Sequence, residues 1–267
     1  MINKMGASKN SLQYCLAIQL RVIGALMMRE MITRFGRHNI GFLWMFLEPM
    51  LFTLGVTTLW TLIGASHGSH IPVCAFAVTG YSCILLWRNC SNRAVKSIEV
   101  NTSLLYHRYV KVFDLLATRL ILEIVGATAS CVILTTLFTS LGLMDMPVDI
   151  LTALIGWFLL VWFAFALGLI VGAASERSEL IDRIWHIITY LLFPLSGSAF
   201  MVDWLPKAVH EYILWVPMVH ASEMIRHGYF GADVHTYEDP IYLFQVDSVM
   251  LLIGLALVRE TSRRVEP

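Results

Sequence analysis

The sequence predicts an all-α integral membrane protein with six transmembrane helices in each protomer. Of its 267 residues, 57% are hydrophobic and 14% are charged, whereas soluble domains carry about 25% charged residues. The mean hydropathy is +0.69, and six stretches approach the roughly 20 apolar residues that a helix needs to cross a bilayer. A soluble protein of this length could not bury so much apolar surface, whereas a bilayer accommodates it.

The distribution of positive charge defines the expected topology. All but two of the 19 lysines and arginines precede the first span, lie in or beside the connections after the second and fourth spans, or follow the sixth. Lys and Arg concentrate on the cytoplasmic side of membrane proteins. Both termini are therefore expected in the cytoplasm, as an even number of spans requires. The predicted spans are 42–63, 72–87, 115–141, 150–174, 184–202 and 241–258.

The predicted organisation is a cytoplasmic amino-terminal region at 1–41, a transmembrane domain at 42–258 and a cytoplasmic tail at 259–267. Within the first region, residues 12–28 form an apolar stretch that Arg21 interrupts. An arginine at mid-membrane costs about 2.5–3.5 kcal/mol on insertion scales. An amphipathic helix lying in the membrane interface is therefore favoured, and a seventh span stays open as the alternative.

Three arginines precede the first span on one side of a helical wheel. Arg29, Arg34 and Arg37 would form a basic face at the depth of the lipid headgroups. Such a face suits the phosphates of a lipid-linked substrate. The simpler interpretation is that these residues anchor the cytoplasmic end of the span.

Glu48 lies inside the first predicted span, where an ionisable group is costly and usually faces a bundle interior or a wet cavity. Trp44 and Phe52 lie four residues before and after it, so the three share one helix face. An acid flanked by aromatic rings is typical of a sugar-binding surface, but a pairing that joins two helices explains Glu48 equally well. The candidate polymer contacts are Trp44, Phe46, Glu48, Phe52 and Phe200.

The cytoplasmic loop 89–114 has more apolar residues than a simple tether needs. They are Val95, Ile98, Leu104, Leu105, Tyr106 and Tyr109. The pattern predicts a short amphipathic helix that either docks into a cytoplasmic partner or rests on lipid.

Two further patterns concern packing and the external side. Ala164, Gly168 and Gly172 recur every four residues and permit close helix approach, within a bundle or across a dimer.

Pro194 and the residues after it interrupt the fifth span. The external segment 203–239 then has two short helical stretches that predict re-entrant or interface helices capping a pathway.

Several classes of activity lack their motifs. The chain has no phosphate-binding loop, no G-x-S-x-G elbow and no H-E-x-x-H pair, so ATP binding and catalysis are expected elsewhere. The net charge of zero gives no indication of nucleic-acid binding. The five cysteines are interpreted as small core residues, and His67-x-x-His70 is a weak metal pattern in a set of surface histidines.

These stretches together resemble the type-2 ABC exporter permeases, and among them the capsular-polysaccharide export permeases of Gram-negative bacteria. The order and spacing of the motifs cover nearly the whole chain. One departure is Val216, where many relatives have Asn. The matching stretches are Arg29-Glu30, Thr33-Arg34-Phe35-Gly36, Gly41-x-x-Trp44-x-x-x-Glu48-Pro49, Ser196-Gly197, Leu205-Pro206, Pro217-Met218-Val219-His220 and Glu223-x-x-Arg226.

The resemblance implies a homodimer in the bacterial inner membrane, paired with two ATPase subunits that hold ATP and Mg²⁺. It implies that the loop 93–106 is the coupling helix and that the substrate is a long acidic polysaccharide on a lipid anchor. A periplasmic co-polymerase and an outer-membrane exporter are expected as further partners. The expected coupling residues are Arg93, Lys96, Glu99, Leu104, Leu105 and Tyr106. The expected external gate is Ser196, Gly197, Pro217, His220, Glu223 and Arg226.

Three alternatives remain at this stage. The same architecture could export O-antigen, teichoic acid, a lipid or a drug. A membrane-embedded enzyme that modifies lipids or sugars would need a cluster of acids or histidines at one depth. A secondary transporter or channel would work without an ATPase.

Overall fold

The computed structural model describes residues 12–35, 40–63, 71–107 and 109–265, and within these ranges the chain is helical with no β-strand. Three 3-10 turns lie between helices, at Glu99–Asn101, Val202–Trp204 and Gly231–Asp233. The helices are α1 (Leu12–Phe35), α2 (Ile40–Ile63), α3 (Val73–Ala94), α4 (Thr102–Leu105), α5 (Val112–Ser140), α6 (Ile150–Ser175), α7 (Glu179–Leu195), α8 (Lys207–Ile213), α9 (Pro217–Phe230) and α10 (Pro240–Val265).

Five helices of the described chain are long and apolar enough to cross a membrane, namely α2, α3, α5, α6 and α10. The predicted fifth span corresponds to α7, which has 17 residues and is about 25 Å long at 1.5 Å per residue. A hydrocarbon core is about 30 Å thick. Five of the six predicted spans therefore match helices that can cross a membrane. The span predicted at α7 stays a prediction.

The helix ends differ from the predicted limits because polar contacts extend or stop them. At its start, α7 is capped by the Ser178 hydroxyl, which accepts from the Leu180 amide at 3.3 Å. At its end, Gly197 has a φ of +75° and the helix does not continue. In the predicted tail, α10 continues to Val265, where Glu260 pairs with Arg177 at 2.9 Å.

The centre of the bundle is α3, which packs against α5 and α6, while α6 also packs against α9 and α10. In the most apolar stretch of α3, 78% of the residues are buried, whereas in that of α2 only 17% are buried. We call the end that carries the last turn of α3, the first turn of α5 and residues 175–183 the basic end. The opposite end, with residues 141–149 and 196–239, is the loop end.

The small-residue face of α6 lies inside the bundle. A side chain at Gly168 would meet Leu120, and one at Gly172 would meet Leu116 and the Ala94 carbonyl oxygen at 3.2 Å. The close approach therefore joins α6 to α5 and α3 of the same chain, which decides between the two packing interpretations in favour of the bundle.

The first helix packs on the bundle through Leu26, which joins the main core, and through polar contacts. Gln19 donates to Asp114 at 2.9 Å, and Arg119 pairs with Glu30 at 3.0 Å. The opposite side of α1 exposes apolar side chains, with Met28 57% and Ile32 49% exposed. A helix with this arrangement suits an apolar surrounding on its outer side, in keeping with the predicted position at the membrane interface.

Replacing Gly228 with alanine should destabilise the bundle, because the new Cβ would lie 2.8 Å from both the Ala153 Cα and the Asp149 carbonyl oxygen. Overpacking against backbone costs about 1–3 kcal/mol. Gly55→Ala is the matched control, since a Cβ at Gly55 meets nothing within 4 Å. Thermal unfolding in detergent should show a lower midpoint for Gly228→Ala only. Equal midpoints for the two variants would contradict this packing.

Candidate functional site

An ion-pair network at the basic end joins α1, α2, α3 and α5. Arg34 pairs with the Glu123 carboxylate and lies 3.8 Å from Glu48. Arg93 lies 3.7 Å from Glu48 and 3.6 Å from Glu123. Glu48 therefore takes part in pairing between helices, which was one of the two interpretations of this residue.

Glu48 also lies on an exposed face of α2, and its side chain is 50% exposed. On the same face Trp44 is 53% exposed and Phe52 is 41% exposed. The structure thus brings these three predicted contacts together. Phe46 is half-buried on another side of α2. Phe200 lies apart, packed against a small core at the loop end.

The predicted basic face of α1 is described in part. Arg34 is 20% exposed within the network. Arg29 is exposed and donates to the Asn101 side chain at 3.0 Å. Arg37 lies outside the described residues.

A row of aromatic rings between α2, α3 and α7 was missed by the sequence analysis. Tyr81 contacts Phe52 at 6.0 Å, Trp60 at 5.4 Å and Phe193 at 6.1 Å between ring centroids. Phe76 continues the row, and its ring lies 5.0 Å from that of Trp204 at the loop end. The only available signal was the aromatic content of each helix, because the row depends on how the helices pack.

The predicted coupling loop folds as a 3-10 turn followed by α4, and we call residues 96–106 the coupling segment. Its inner side is buried, with Ile98 fully buried and Leu105 at 4% exposure. Its outer side exposes Val100 at 70% and Tyr106 at 77%. Glu99 is exposed and Leu104 half-buried. The segment is amphipathic, as predicted, and exposes Val100 and Tyr106 on its outer side beside Glu99.

Lys96 holds the coupling segment to α7. It is the one non-glycine residue with positive φ among the described residues, at 53°. Its ammonium pairs with Asp182 at 2.8 Å, and its amide donates to the Ser175 hydroxyl at 3.3 Å. The hydrogen bond to Asp182 raises the pKa of Lys96. The ion pair therefore persists at neutral pH and links the coupling segment to the start of α7.

Arg226 fixes the chain after α7 at the loop end. It is fully buried, and its guanidinium donates to the carbonyl oxygens of Gly197, Ser198 and Phe200, each at 2.6 Å. The same group lies 4.0 Å from the centre of the Phe76 ring. Burial lowers the pKa of Arg226 to about 10, so the group remains charged at pH 7.

The other predicted gate residues surround this contact. Glu223 is fully buried and accepts from the amides of Val202 and Tyr237, each at 3.3 Å, and burial raises its pKa. His220 bridges the Leu214 carbonyl at 2.7 Å and the Asp239 amide at 2.9 Å. These contacts hold the segment in place, and a gating role stays a prediction.

The remaining gate residues shape the backbone. Pro217 occupies the first turn of α9, and Val216 before it offers no side-chain cap. Proline has no amide hydrogen and suits the start of a helix, so this start tolerates Val216. Ser196 is buried and donates back to the Phe193 carbonyl at 2.7 Å.

A cavity of about 540 Å³ opens at the loop end. Aromatic side chains of Trp204 and Phe230 line it together with the carboxylates of Asp203 and Asp233 and the ring of His235. The cavity combines apolar rings with negative charge.

The part of the chain that the structure describes contains neither a metal-binding cluster nor a disulfide bond. No group of three or more His, Cys, Asp or Glu side chains there could hold a metal ion. All five cysteines are free, and Cys83 and Cys90 are buried. His67 and His70 lie outside the described residues.

Replacing Arg226 with lysine should destabilise the loop end, because an ammonium cannot reproduce the planar set of donors that meets three carbonyls. Each charge-assisted hydrogen bond contributes about 1.5–3 kcal/mol. Lys207→Ala is the control, since Lys207 is an exposed basic residue at the same end. Limited proteolysis should cut residues 196–206 faster in Arg226→Lys than in the control. Equal cleavage rates would contradict the role of Arg226 in holding residues 196–206 in place.

Comparisons with known proteins agree with this architecture. The family model described as ABC-2 type transporter matches residues 21–230. The chain is 48% identical to the capsule polysaccharide export inner-membrane protein CtrC of Neisseria meningitidis serogroup B, over 97% of this chain and 98% of the relative.

Two further relatives extend the comparison. The capsule polysaccharide export inner-membrane protein BexB of Haemophilus influenzae is 46% identical over 94% of this chain and 95% of its own length. The polysialic acid transport protein KpsM of Escherichia coli is 28% identical over 91% of this chain and 94% of its own length. With a family model that matches most of its length and relatives that align nearly from end to end, the chain belongs to the ABC-2 type transporter family.

Proposed function

We propose that this chain is the inner-membrane permease subunit of an ATP-driven exporter of capsular polysaccharide, and that it catalyses no reaction itself. The observation that carries the proposal is the coupling segment. It exposes Val100 and Tyr106 at the basic end of a membrane bundle in a chain whose sequence has no phosphate-binding loop. A groove on a separate ATPase would cover this apolar side. The cargo follows from the relatives aligned over nearly their full length, which are named for capsule polysaccharide export.

The proposed orientation places the basic end, and with it both termini, in the cytoplasm, as the charge distribution favours. Two copies of the chain pair with two ATPase subunits, which bind ATP and Mg²⁺. The loop end then faces the periplasm, where a co-polymerase and an outer-membrane exporter continue the path.

The outer face of α2 supports a pathway between two copies. Glu48 is half-exposed within a helix that crosses the membrane. A carboxylate facing lipid would be costly, so this face turns toward a second protomer or a water-filled path. Trp44 and Phe52 on the same face offer flat rings on which pyranose rings stack, and Glu48 accepts hydrogen bonds from sugar hydroxyls.

The aromatic row lies behind this path and stiffens its wall, because Tyr81 and Phe76 are buried. From Phe52 the row runs through Tyr81, Trp60 and Phe76 to Trp204, which lines the cavity at the loop end. Asp203 and Asp233 at that cavity repel an acidic polymer, which favours its release. The arginines at the basic end attract it, so the charge distribution favours movement in one direction.

ATP binding drives the cycle through the coupling segment. Closure of the nucleotide-binding subunits shifts this segment, and the Lys96–Asp182 pair transmits the shift to α7. Because α7 has few contacts with the remaining helices, it can move relative to α3 and change the width of the path.

Replacing Tyr106 with alanine together with Val100→Glu should abolish association with the ATPase. The variant removes one exposed apolar group and charges another, while the buried side of the segment stays intact. Tyr212→Ala is the control, because Tyr212 is 75% exposed at the loop end. Co-purification of the tagged permease from native membranes should recover the ATPase with the control and lose it with the double variant. Recovery of the ATPase with both would contradict the proposed docking site.

Replacing both Trp44 and Phe52 with alanine should reduce export by about tenfold, equivalent to ~1.4 kcal/mol of lost binding. Leu43→Ala is matched for exposure, since Leu43 is 52% exposed and Trp44 is 53% exposed. Leu43 lies about 100° around the helix from Trp44. Polysaccharide at the cell surface is measured, with ATPase co-purification as the control for assembly. Normal surface polysaccharide in an assembled double variant would contradict the proposed path.

A further inference from the structure

Arg88 is an arginine of α3, a helix that can cross the membrane. It lies about 9 Å along the helix from the end of α3 at Ala94, and its side chain is half-buried. Among the described residues it forms no ion pair and no side-chain hydrogen bond, and its one ring contact is with Tyr190 on α7. An arginine within a span is costly and usually faces a bundle interior or a water-filled path.

The Arg88 side chain enters the gap between α2 and α7. Arg88 follows Tyr81 by seven residues, about 20° short of two turns, so both side chains leave α3 in nearly the same direction. The Tyr81 ring contacts Phe52 on α2 and Phe193 on α7. Arg88 meets α7 about one turn nearer its start, where the guanidinium carbon lies 5.0 Å from the centre of the Tyr190 ring. Arg88 therefore lies between the same two helices, about 10 Å closer to the basic end.

The gap between α2 and α7 is more open at Arg88 than at Tyr81. Rings from both neighbouring helices cover Tyr81, which is only 6% exposed. Arg88 is half-buried, and Tyr190 beside it is 67% exposed. The guanidinium therefore lies where a chain passing along the bundle could reach it.

The exposed face of α2 lies at the same level as Arg88. On α3, Arg88 lies between Tyr81, whose ring contacts Phe52, and Arg93, whose guanidinium lies 3.7 Å from Glu48. The stretch of α2 from Glu48 to Phe52 therefore runs beside Arg88. This stretch belongs to the face that we propose to contact the polymer.

The charge of Arg88 is not compensated by Glu48. The Glu48 carboxylate lies 3.8 Å from Arg34 and 3.7 Å from Arg93, so two other arginines already share it. A guanidinium has five N–H donors, and those of Arg88 have no acceptor among the described residues. Such a group binds a carboxylate or a phosphate through two parallel hydrogen bonds. Arg88 therefore suits an anionic group of the cargo.

Tyr190 holds the guanidinium without using its donors. A guanidinium is attracted to an aromatic face within about 6 Å of the ring centre, and this contact leaves its N–H groups available for hydrogen bonds. On the same side of α7, Ile187 and Leu191 are 60% and 64% exposed. Arg88 is thus a positioned charge beside an otherwise apolar surface.

We propose that Arg88 binds the anionic group that repeats along the sugar chain, a carboxylate or a phosphodiester, and thereby makes the exporter selective for acidic polysaccharide. The inference rests on the proposed function, since it needs a polymer in the path. It adds a division of roles within that path. Trp44, Phe52 and Glu48 contact sugar rings and hydroxyls, whereas Arg88 recognises the charge of the chain as it passes.

The test measures ATP-driven uptake of lipid-linked polysialic acid into inside-out vesicles that contain the permease and its ATPase. The neutral comparison is the same polymer with its carboxyl groups chemically reduced to alcohols. The wild type should take up the acidic form about tenfold faster, the effect of one charge-assisted hydrogen bond. Arg88→Gln should take up both forms at the rate of the neutral one. Undiminished preference for the acidic form in Arg88→Gln would overturn the proposal.

Matched variants separate a specific contact from general charge. Arg183→Gln is the control, because Arg183 is 79% exposed near the start of α7, and it should keep the preference of the wild type. Loss of the preference in this control to the same extent would overturn the role of Arg88. Tyr190→Phe should keep the preference because the ring remains, whereas Tyr190→Leu should lower it. Arg88→Lys should recover only part of it, since an ammonium lacks the planar fork.

A second polymer identifies the anionic group. A lipid-linked polysaccharide whose sugars are joined by phosphodiesters is compared with the same neutral polymer in the wild type and in Arg88→Gln. An Arg88-dependent preference for polysialic acid alone assigns the carboxylate, and one for the second polymer assigns the phosphodiester. The absence of an Arg88-dependent preference for either polymer would overturn the proposal.

Failure of this inference is distinguishable from failure of the proposed function. A complex that assembles, hydrolyses ATP and takes up acidic and neutral polymers equally overturns only the inference. Vesicles that take up no polymer in response to ATP, or a chain that purifies without an ATPase, overturn the proposed function.

Discussion

The Glu123 carboxylate on α5 accepts Arg34 from α1 and Arg93 from the end of α3, and both arginines also reach Glu48 on α2. With an exposure of only 8%, Glu123 would leave an uncompensated buried charge if its partners were removed, which typically costs about 3–5 kcal/mol. The helix α1, the exposed span α2 and the end of α3, which leads into the coupling segment, therefore meet at one network. The basic end is therefore a single electrostatic unit, and the exposed face of α2 is one side of it.

The loop end follows the same principle with hydrogen bonds in place of ion pairs. The chain after α7 is irregular, and its carbonyls lie among buried helices where water does not reach them. Arg226 satisfies three of these carbonyls, and Glu223 satisfies two amides nearby. Buried non-helical backbone is tolerated only when its polar groups find hydrogen-bond partners. Arg226 and Glu223, both on α9, therefore hold this irregular segment in place.

Much of this organisation was accessible from the sequence. Apolar length located five helices that can cross the membrane, and the spacing of Trp44, Glu48 and Phe52 placed them on one face. The amphipathic pattern of the coupling loop was correct because it depends on neighbouring residues. The partners of Glu48 were beyond prediction, since Arg34 and Arg93 come from other helices. The aromatic row was missed for the same reason, because the Tyr81 ring on α3 makes its contacts only when α2 and α7 pack beside it. Some helices extend beyond the predicted spans where a distant contact holds them, as for Glu260 and Arg177.

The most direct test of the account is ATP-driven uptake of lipid-linked capsular polysaccharide into sealed inside-out vesicles that contain this permease and its ATPase. The polymer should become protected from an added polysaccharide-degrading enzyme only while ATP is hydrolysed, and the Val100 and Tyr106 double variant should give no protection. Protection without ATP, or equal protection in vesicles that lack this chain, would contradict the assignment of the chain as the membrane pathway of an ATP-driven exporter.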